Sequence, residues 1–255
     1  MSTVLSTSGL VIGFGHRRLI HALDMHLRAG ELVSILGRNG SGKSTLLRTL
    51  VGALEPLEGN IRIVDQDLTG LSAHQRAMLV AAVFPGRTTA GQVTVHEALA
   101  MARYARTGWR GQLNNADEQA LLVASRSTGI DGWQHRPLNT LSDGEYQRVM
   151  IARAIAQETP LVLFDEPTAF LDLSARVSIM GAFSKLTRNL GKAVLITTHD
   201  LDSALGQSDR LLIVRSDGTC WLGTPREALV SGIIAREFKT DGVVFDPARR
   251  AFRPE

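Results

Sequence analysis

Apolar residues form short runs along this chain, and between these runs they recur at helical spacing. The short runs predict strands at residues 32–36, 59–65, 79–84, 161–164 and 193–197. Helical spacing predicts a helix at 43–52, ending at Gly52, and another across 174–189. Because strands alternate with helices, the pattern indicates an α/β fold whose mostly parallel sheet carries helices on its faces.

The pattern differs in the N-terminal, middle and C-terminal parts of the chain. Residues 2–36 read as short strands with turns at 13–15 and 29–30, and residues 211–222 predict a final hairpin that turns at Asp217-Gly218. From about 92 to 160 the residues fall at helical spacing without strands, as at Val95, Ala98, Leu99, Ala102 and Tyr104. This middle stretch therefore predicts a helical lobe inserted into the sheet domain.

Composition narrows the class of protein. The 255 residues, 44% of them hydrophobic, suit one large packed domain, and the net charge of +3 is too dispersed to favour nucleic acid. Arg249, Arg250 and Arg253 form the densest basic patch, which we interpret as a solvated tail. A single cysteine, Cys220, excludes an intrachain disulfide and favours a reducing compartment. Without a secretion signal or an apolar span of ~20 residues, we expect a soluble chain, or one held at a membrane by a partner.

The strongest chemical signal is a glycine-rich loop between the strand at 32–36 and the helix at 43–52. It fits the phosphate-loop pattern G-x-x-x-x-G-K-[ST] with Gly37, Arg38, Asn39, Gly40, Ser41, Gly42, Lys43, Ser44 and Thr45. Glycines let backbone N–H groups point inward at an anion, and the helix N-terminus adds its dipole. The pattern arises by chance in roughly one sequence in a hundred of this length, and its strand and helix flanks make chance less probable still.

Within this loop, Lys43 is suited to reach the β- and γ-phosphates of a nucleotide, and the Ser44 hydroxyl is suited to hold Mg²⁺. A second candidate site follows the apolar run at 161–164, where the predicted strand ends at Asp165 and Glu166. Strand ends are where α/β sheets bind ligands. We therefore predict that Asp165 holds Mg²⁺ through water and that Glu166 is the general base that activates a water molecule.

Between these motifs lies Leu141-Ser142-Asp143-Gly144-Glu145. Ser142 with Glu145 three residues later is a capping box, and apolar residues at helical spacing follow. Taken locally, this segment is only a well-capped helix, although its N-terminus is itself a site suited to an anion.

In their order, these motifs resemble the ATP-binding cassette family, the motor subunits of ABC transporters. The resemblance covers nearly the whole chain: phosphate loop, signature at Leu141–Glu145, acidic strand, Leu171-Asp172, and His199 in Thr197-Thr198-His199-Asp200. It implies a P-loop NTPase (RecA-like) core with an N-terminal antiparallel β subdomain and an inserted α-helical subdomain. The expected division is a core at 1–86 and 160–235, a helical subdomain at about 87–159 and a tail at 236–255.

The resemblance also implies how the site is assembled. Two copies would form a head-to-tail homodimer with two ATP molecules between them, so that the phosphate loop of one faces Ser142, Gly144 and Glu145 of the other. His199 would contact the γ-phosphate and act with Glu166 and Lys43 in catalysis. Phe14, between two glycines, matches the aromatic residue that stacks on adenine.

Two positions depart from the family pattern, in which the signature reads Leu-Ser-Gly-Gly-Gln. Asp143 and Glu145 replace a glycine and the glutamine, and Asp143 would repel phosphates unless its side chain points away. Pro85 stands where the family has a glutamine that touches Mg²⁺, and proline has no such ligand. The hypothesis is that Mg²⁺ is held by Ser44, Asp165 and water alone.

The resemblance thus implies an ATPase that powers import through multi-span permease subunits at the cytoplasmic face of the inner membrane, and the weak, dispersed charge gives no reason to expect nucleic acid as a partner. The Leu-Ser-Asp-Gly-Glu form, residues 107–111 and residues 166–172 resemble the branch for iron-siderophores, haem and cobalamin, which implies an extracytoplasmic binding protein as well. Two alternatives stay open: a soluble ABC-type ATPase acting on nucleic acid or the ribosome, and a small-molecule kinase.

Overall fold

The computed structural model describes residues 2–87, 92–108, 111–169, 171, 173–239, 243–246 and 251–254. In these ranges the strands are β1 (Thr3–Phe14), β2 (Arg17–Arg28), β3 (Leu32–Gly37), β4 (Glu58–Ile63), β5 (Gln66–Asp67), β6 (Val80–Val83), β7 (Leu161–Asp165), β8 (Ala193–Thr197), β9 (Arg210–Val214), β10 (Cys220–Gly223), β11 (Val243–Asp246) and β12 (Ala251–Pro254). The α-helices are α1 (Lys43–Leu50), α2 (Ala73–Leu79), α3 (Val95–Ala100), α4 (Tyr104–Thr107), α5 (Asn115–Thr128), α6 (Asp143–Ala156), α7 (Leu173–Ser184), α8 (Leu201–Gln207), α9 (Pro225–Val230) and α10 (Ile233–Glu237).

A mixed sheet with strand order β10-β9-β3-β8-β7-β6 forms the centre of the fold. Its strands are parallel except for β10, which pairs antiparallel with β9. Every residue of β3, β7 and β8 is buried, because helices cover both faces of a parallel sheet and the strands must be apolar throughout. The predicted parallel α/β sheet is confirmed.

A second sheet, with order β2-β1-β4-β5, is antiparallel and forms the N-terminal part of the fold. Its first two strands each run for 12 residues, longer than the short strands expected from the sequence. Buried side chains of this sheet, such as Leu10 and Ile20, share one core with α1 and with Val33 and Ile35 of β3. The two sheets therefore hold α1 between them.

The chain between β6 and β7 is helical in its described parts, as predicted. The helix expected from Val95 to Tyr104 is, however, divided into α3, a 3₁₀ turn at Met101–Arg103, and α4. Helices α3, α5 and α6 bury a common apolar core that includes Leu99, Leu121 and Val149.

A buried ion pair joins these helices. Arg103 and Asp117 are each less than 5% exposed at the side chain, and Arg103 Nε donates to Asp117 Oδ1 at 2.8 Å. Arg103 Nη1 also donates to the carbonyl of Ala156, at the end of α6, and to Glu158. The Asn114 backbone N–H and then the Arg103 guanidinium lower the pKa of the Asp117 carboxyl. One arginine thus ties the 3₁₀ turn, the start of α5 and the end of α6 together.

The C-terminal third departs from the sequence prediction in two places. The hairpin formed by β9 and β10, with its turn at Asp217-Gly218, is confirmed, but it is not the last one, since β11 and β12 pair after it. The helix expected across 174–189 is α7 followed by a π-helical turn at Lys185–Asn189. Within the described residues, we find no helix with the length and apolarity needed to span a bilayer.

The buried ion pair generates a stability prediction. Arg103→Met leaves the Asp117 carboxylate buried without its partner, so we expect the free energy of unfolding to fall by roughly 3–5 kcal/mol. Urea-induced unfolding measures this difference. Arg126→Met is the matched control, because Arg126 makes a long, exposed contact of 3.9 Å with Asp131, and a surface change of this kind stays within about 0.5 kcal/mol. Equal losses in the two variants would contradict the role assigned to Arg103.

Candidate functional site

The loop between β3 and α1 takes a backbone shape that only glycine adopts freely. Gly40 and Gly42 have φ values of +77° and +102°. Gly37 is required for space, since a Cβ there would lie 2.7 Å from Ser41 Oγ and 2.9 Å from the carbonyl oxygen of Val214. Gly42 is similarly close to Leu19 of β2. The loop is therefore folded tightly against both sheets.

Lys43 begins α1 and turns back across this loop. Its Nζ donates to the carbonyl oxygens of Gly37, at 2.8 Å, and Arg38, at 3.2 Å. The residue is 6% exposed. Burial lowers the pKa of the ammonium group, while the carboxylates of Glu166 and Asp165 act in the opposite direction. A cation is thus held inside the loop by its own carbonyls, where an anionic ligand could replace them.

Two neighbouring strands end at this loop and bring acidic side chains to it. Asp165 ends β7 and pairs in register with Thr197, which ends β8. Thr197 Oγ1 donates to Asp165 Oδ1 at 2.7 Å and accepts from the backbone N–H of Glu166 at 2.9 Å. Thr197 thereby fixes both carboxylate residues. No sequence motif assigns Thr197 a role, and its position beside Asp165 becomes visible only from the strand register.

Glu166 has a left-handed backbone, with φ of +50°, which is unusual for a residue with a side chain. This turn directs the carboxylate toward the loop that follows β8, where His199 Nε2 lies 2.5 Å from Glu166 Oε1. Both side chains stay partly exposed, at 31% for Glu166 and 47% for His199. The pair is held by protein but open to a ligand and to water.

An open cleft of about 480 Å³ lies over the phosphate loop. It is lined by Phe14, Arg17, Leu19, Asn39, Gly40, Gly42, Lys43, Ser44, Thr45 and Glu166. The Phe14 side chain is 54% exposed, as expected for a ring that would stack on a ligand rather than fill the core. Arg17 also lines the cleft and was missed by the sequence analysis. Most of the predicted nucleotide-binding residues are thus brought to one cleft.

Some residues of the phosphate loop border a second cavity, which His199 also lines. Arg38 and Asn39 border a cavity of about 330 Å³ together with His199. The hydroxyl of Ser41 is buried and has no hydrogen-bond partner among the residues that the structure describes. The phosphate loop therefore presents polar groups to this second cavity as well as to the cleft.

The predicted capping box at the start of α6 is present. Ser142 Oγ accepts from Glu145 N at 3.3 Å, and the Glu145 carboxylate accepts from Ser142 N at 2.9 Å. Arg136, which the sequence analysis missed, holds that carboxylate with two hydrogen bonds of 2.8 and 3.2 Å. Arg136 and then the Ser142 N–H lower the pKa of Glu145 to about 2. Glu145 is therefore engaged in fixing the helix start.

The signature residues lie apart from the chain's own phosphate cleft: Ser142, Gly144 and Glu145 are not among the described residues that line it. Gly144 packs close to Leu171, whose Cδ2 would lie 3.2 Å from a Cβ at this position. The Asp143 side chain is 76% exposed and faces Arg87, with its Oδ1 3.3 Å from Arg87 Nε. Pro85 is exposed and lies on the segment between β6 and Arg87. The sequence features at Trp109, Arg110, Phe170, Asp172, Arg249 and Arg250 lie outside the described residues.

A strand, a glycine loop closed by a buried lysine, and a second parallel strand of the same sheet that leads into two carboxylates define a P-loop nucleoside triphosphatase. The family model for ABC transporters matches residues 20–169. Together with relatives that align along almost the whole chain, this match shows that the chain belongs to the ABC transporter family. As a member, it is an ATP-binding subunit with ATPase activity.

Two relatives illustrate the similarity. The achromobactin transport ATP-binding protein of Dickeya dadantii is 33% identical, and the alignment covers 96% of this chain and 91% of the relative. The ferric enterobactin transport ATP-binding protein of Escherichia coli is 32% identical, over 93% of this chain and 88% of the relative.

Solved structures agree with this assignment. An ATP-binding subunit of an ABC transporter superposes with a TM-score of 0.79 at 26% identity, covering 91% of this chain and 93% of its own. A dimeric ATP-binding cassette bound to ADP and phosphate superposes with a TM-score of 0.75 at 26% identity, covering 87% of this chain and 99% of its own. The predicted fold class and family are confirmed.

The Glu145–Arg136 pair predicts a pH dependence. Because the folded-state pKa of about 2 lies below the ordinary 4.5, the pair stabilises the fold above about pH 4.5, and this stabilisation is lost as the pH falls toward 2. We expect Glu145→Gln to lower the thermal midpoint at pH 7 by roughly 2–4 °C, and the difference from the parent protein to shrink on acidification. Thermal melts at several pH values test this. The exposed Glu118→Gln is the control, and a pH-independent deficit in Glu145→Gln would contradict the account.

Proposed function

We propose that this chain powers the import of an iron chelate or haem by hydrolysing ATP in a dimer of two copies bound to a multi-span permease. The observation that carries the proposal is the convergence of Lys43, Asp165, Glu166 and His199 at one edge of the parallel sheet. The cargo class comes from three relatives, which are named for the transport of achromobactin, the transport of ferric enterobactin and the import of hemin.

ATP binds over the phosphate loop, with its adenine stacked on Phe14 and its phosphates surrounded by the loop N–H groups. Lys43 changes partners, leaving the carbonyls of Gly37 and Arg38 for the β- and γ-phosphate oxygens. Exchange of neutral carbonyls for an ionised acceptor strengthens the hydrogen bonds of a buried ammonium group. The partial burial of the nucleotide then raises the strength of every charge interaction in the site.

The oxygen ligands on this side of the cleft fit Mg²⁺, which binds through few carboxylates, keeps several waters and takes phosphate oxygens as further ligands. Ser44 and Asp165 would hold the ion. The Asp165 carboxylate is oriented by Thr197, which leaves it one oxygen free of that hydrogen bond. When bound, the ion neutralises charge that develops on the phosphate oxygens. Pro85 offers no ligand, so water would complete the set of ligands.

Glu166 accepts a proton from the attacking water as general base, and His199 orients its carboxylate and reaches the γ-phosphate. The 2.5 Å contact between His199 Nε2 and Glu166 Oε1 supports this pairing. Thr197 holds the Glu166 backbone in its left-handed turn and so fixes the direction of the carboxylate. Positioning and charge stabilisation supply most of the rate enhancement in phosphoryl transfer.

A second copy completes the site. Ser142, the N-cap of α6, and Gly144, in its first turn, are not among the described residues that line the chain's own cleft, and a helix N-terminus is suited to a γ-phosphate. In a head-to-tail dimer, each signature faces the other copy's ATP. Closure on ATP then couples hydrolysis to a movement of the helical subdomain, at about 87–159, against the core at 1–86 and 160–235.

The permease carries the cargo across the membrane, and this chain supplies the motor. We propose residues 85–111 as the permease contact, and the tail at 236–255 stays without an assigned role. An extracytoplasmic binding protein delivers the chelate, and the chain works at the cytoplasmic face of the inner membrane.

This mechanism predicts a trapped state. Glu166→Gln removes the general base but keeps the loop, so we expect normal ATP binding, hydrolysis reduced by at least about a hundredfold, and a stable ATP-dependent dimer. Size-exclusion chromatography with light scattering, together with phosphate release, measures both effects.

Lys43→Ala and Glu118→Gln are the two comparison variants. The first should neither bind ATP tightly nor dimerise, and the second, on the exposed side of α5, should behave as the parent protein does. A Glu166→Gln protein that turns over ATP at the parental rate would refute the general-base role.

A further inference from the structure

Arg87 contacts the start of α6 at three points. Its Nε lies 3.3 Å from Asp143 Oδ1, and its Nη2 donates to the carbonyl oxygen of Leu141. Its guanidinium carbon lies 5.1 Å from the centroid of the Tyr146 ring, in cation–π geometry. A charge contact, a backbone hydrogen bond and an aromatic contact thus all come from one side chain to one end of one helix.

The charge at this helix start has a consequence for the proposed dimer. Asp143 is the residue between Ser142 and Gly144, which would face the γ-phosphate of the second copy. An uncompensated carboxylate there repels the phosphate, and the repulsion grows when the closing interface excludes water. The same carboxylate opposes the attraction that the helix N-terminus offers to an anion.

We propose that Arg87 is the positioning residue that makes this aspartate-bearing signature competent to bind a second copy's ATP. The inference rests on the proposed dimer. Arg87 neutralises Asp143, draws its side chain away from Ser142 and Gly144, and fixes the loop before α6 through Leu141. A guanidinium suits this task because it donates in two directions and stacks on a ring at the same time.

Exposure separates this role from a purely structural one. The side chains of Arg87 and Asp143 are 43% and 76% exposed, and exposed ion pairs contribute little to folding stability. The consequence of losing Arg87 therefore falls on the association of two copies rather than on the fold of one.

Arg87 also connects the signature to the catalytic edge of the sheet. It lies four residues after the end of β6, which pairs in parallel with β7, the strand that ends at Asp165. The short segment that contains Pro85 spans this distance. The residue thus joins the start of α6 to the segment that leaves the sheet beside the acidic strand.

The test measures ATP-dependent dimerisation in the Glu166→Gln background by analytical ultracentrifugation. Arg87→Met should raise the dimer dissociation constant by about tenfold. Arg87→Met combined with Asp143→Gly should return to within about twofold of the parental value, because no carboxylate then needs to be neutralised. The dissociation constant of Arg87→Lys should lie between the parental value and that of Arg87→Met. Lysine keeps the positive charge but lacks the planar guanidinium that donates in two directions and stacks on the ring.

Three controls separate positioning from folding. Arg126→Met, an exposed arginine on α5, should dimerise as the parental protein does. The affinity of the monomer for ATP depends on its own phosphate loop, so Arg87→Met should leave it unchanged. The thermal midpoint of Arg87→Met should also match that of Arg126→Met.

Two results would overturn the inference while leaving the proposed function intact. The first is an Arg87→Met protein that dimerises as tightly as the parental protein. The second is a double variant that dimerises as weakly as Arg87→Met alone, which would exclude charge neutralisation. Absence of an ATP-dependent dimer in the parental Glu166→Gln protein would overturn the proposed function, and the inference with it.

Discussion

The parallel pairing of β3, β8 and β7 is the constraint on which the site depends. Parallel strands end at the same edge of the sheet. The glycine loop after β3 and the polar residues at the ends of β7 and β8 therefore lie close together. The strands are buried along their entire length, which fixes their register through apolar packing on both faces. The chemistry of this ATPase is thus positioned by a hydrophobic core that takes no part in it.

Local interactions at that edge hold charged groups ready for a ligand. Lys43 is satisfied by two loop carbonyls, and Thr197 connects Asp165 to the backbone of Glu166. These neutral partners satisfy the buried polar groups without competing strongly with phosphate. The loop is therefore preformed, and binding requires little reorganisation. The start of α6 is preformed as well, because Ser142 and Glu145 hold its first turn with two reciprocal hydrogen bonds.

The sequence predicted the parallel sheet and the phosphate loop because both depend on local pattern: apolar runs for buried strands, and glycines at fixed spacing for the loop. What it missed depends on contacts distant along the chain. The break between α3 and α4 places Arg103 where it can pair with Asp117, and Thr197 acquires its role only through its register with Asp165. The partner of Asp143, Arg87, lies more than fifty residues earlier and belongs to no motif.

The central claim is that this ATPase works on a permease, and capture of the chain from detergent-solubilised membranes tests it most directly. The chain carries an affinity tag, and the bound proteins are identified and quantified. The account predicts recovery of a multi-span permease at matched stoichiometry, with an extracytoplasmic binding protein that takes up an iron chelate or haem. Recovery from the soluble fraction alone, or together with ribosomes or DNA, would contradict it.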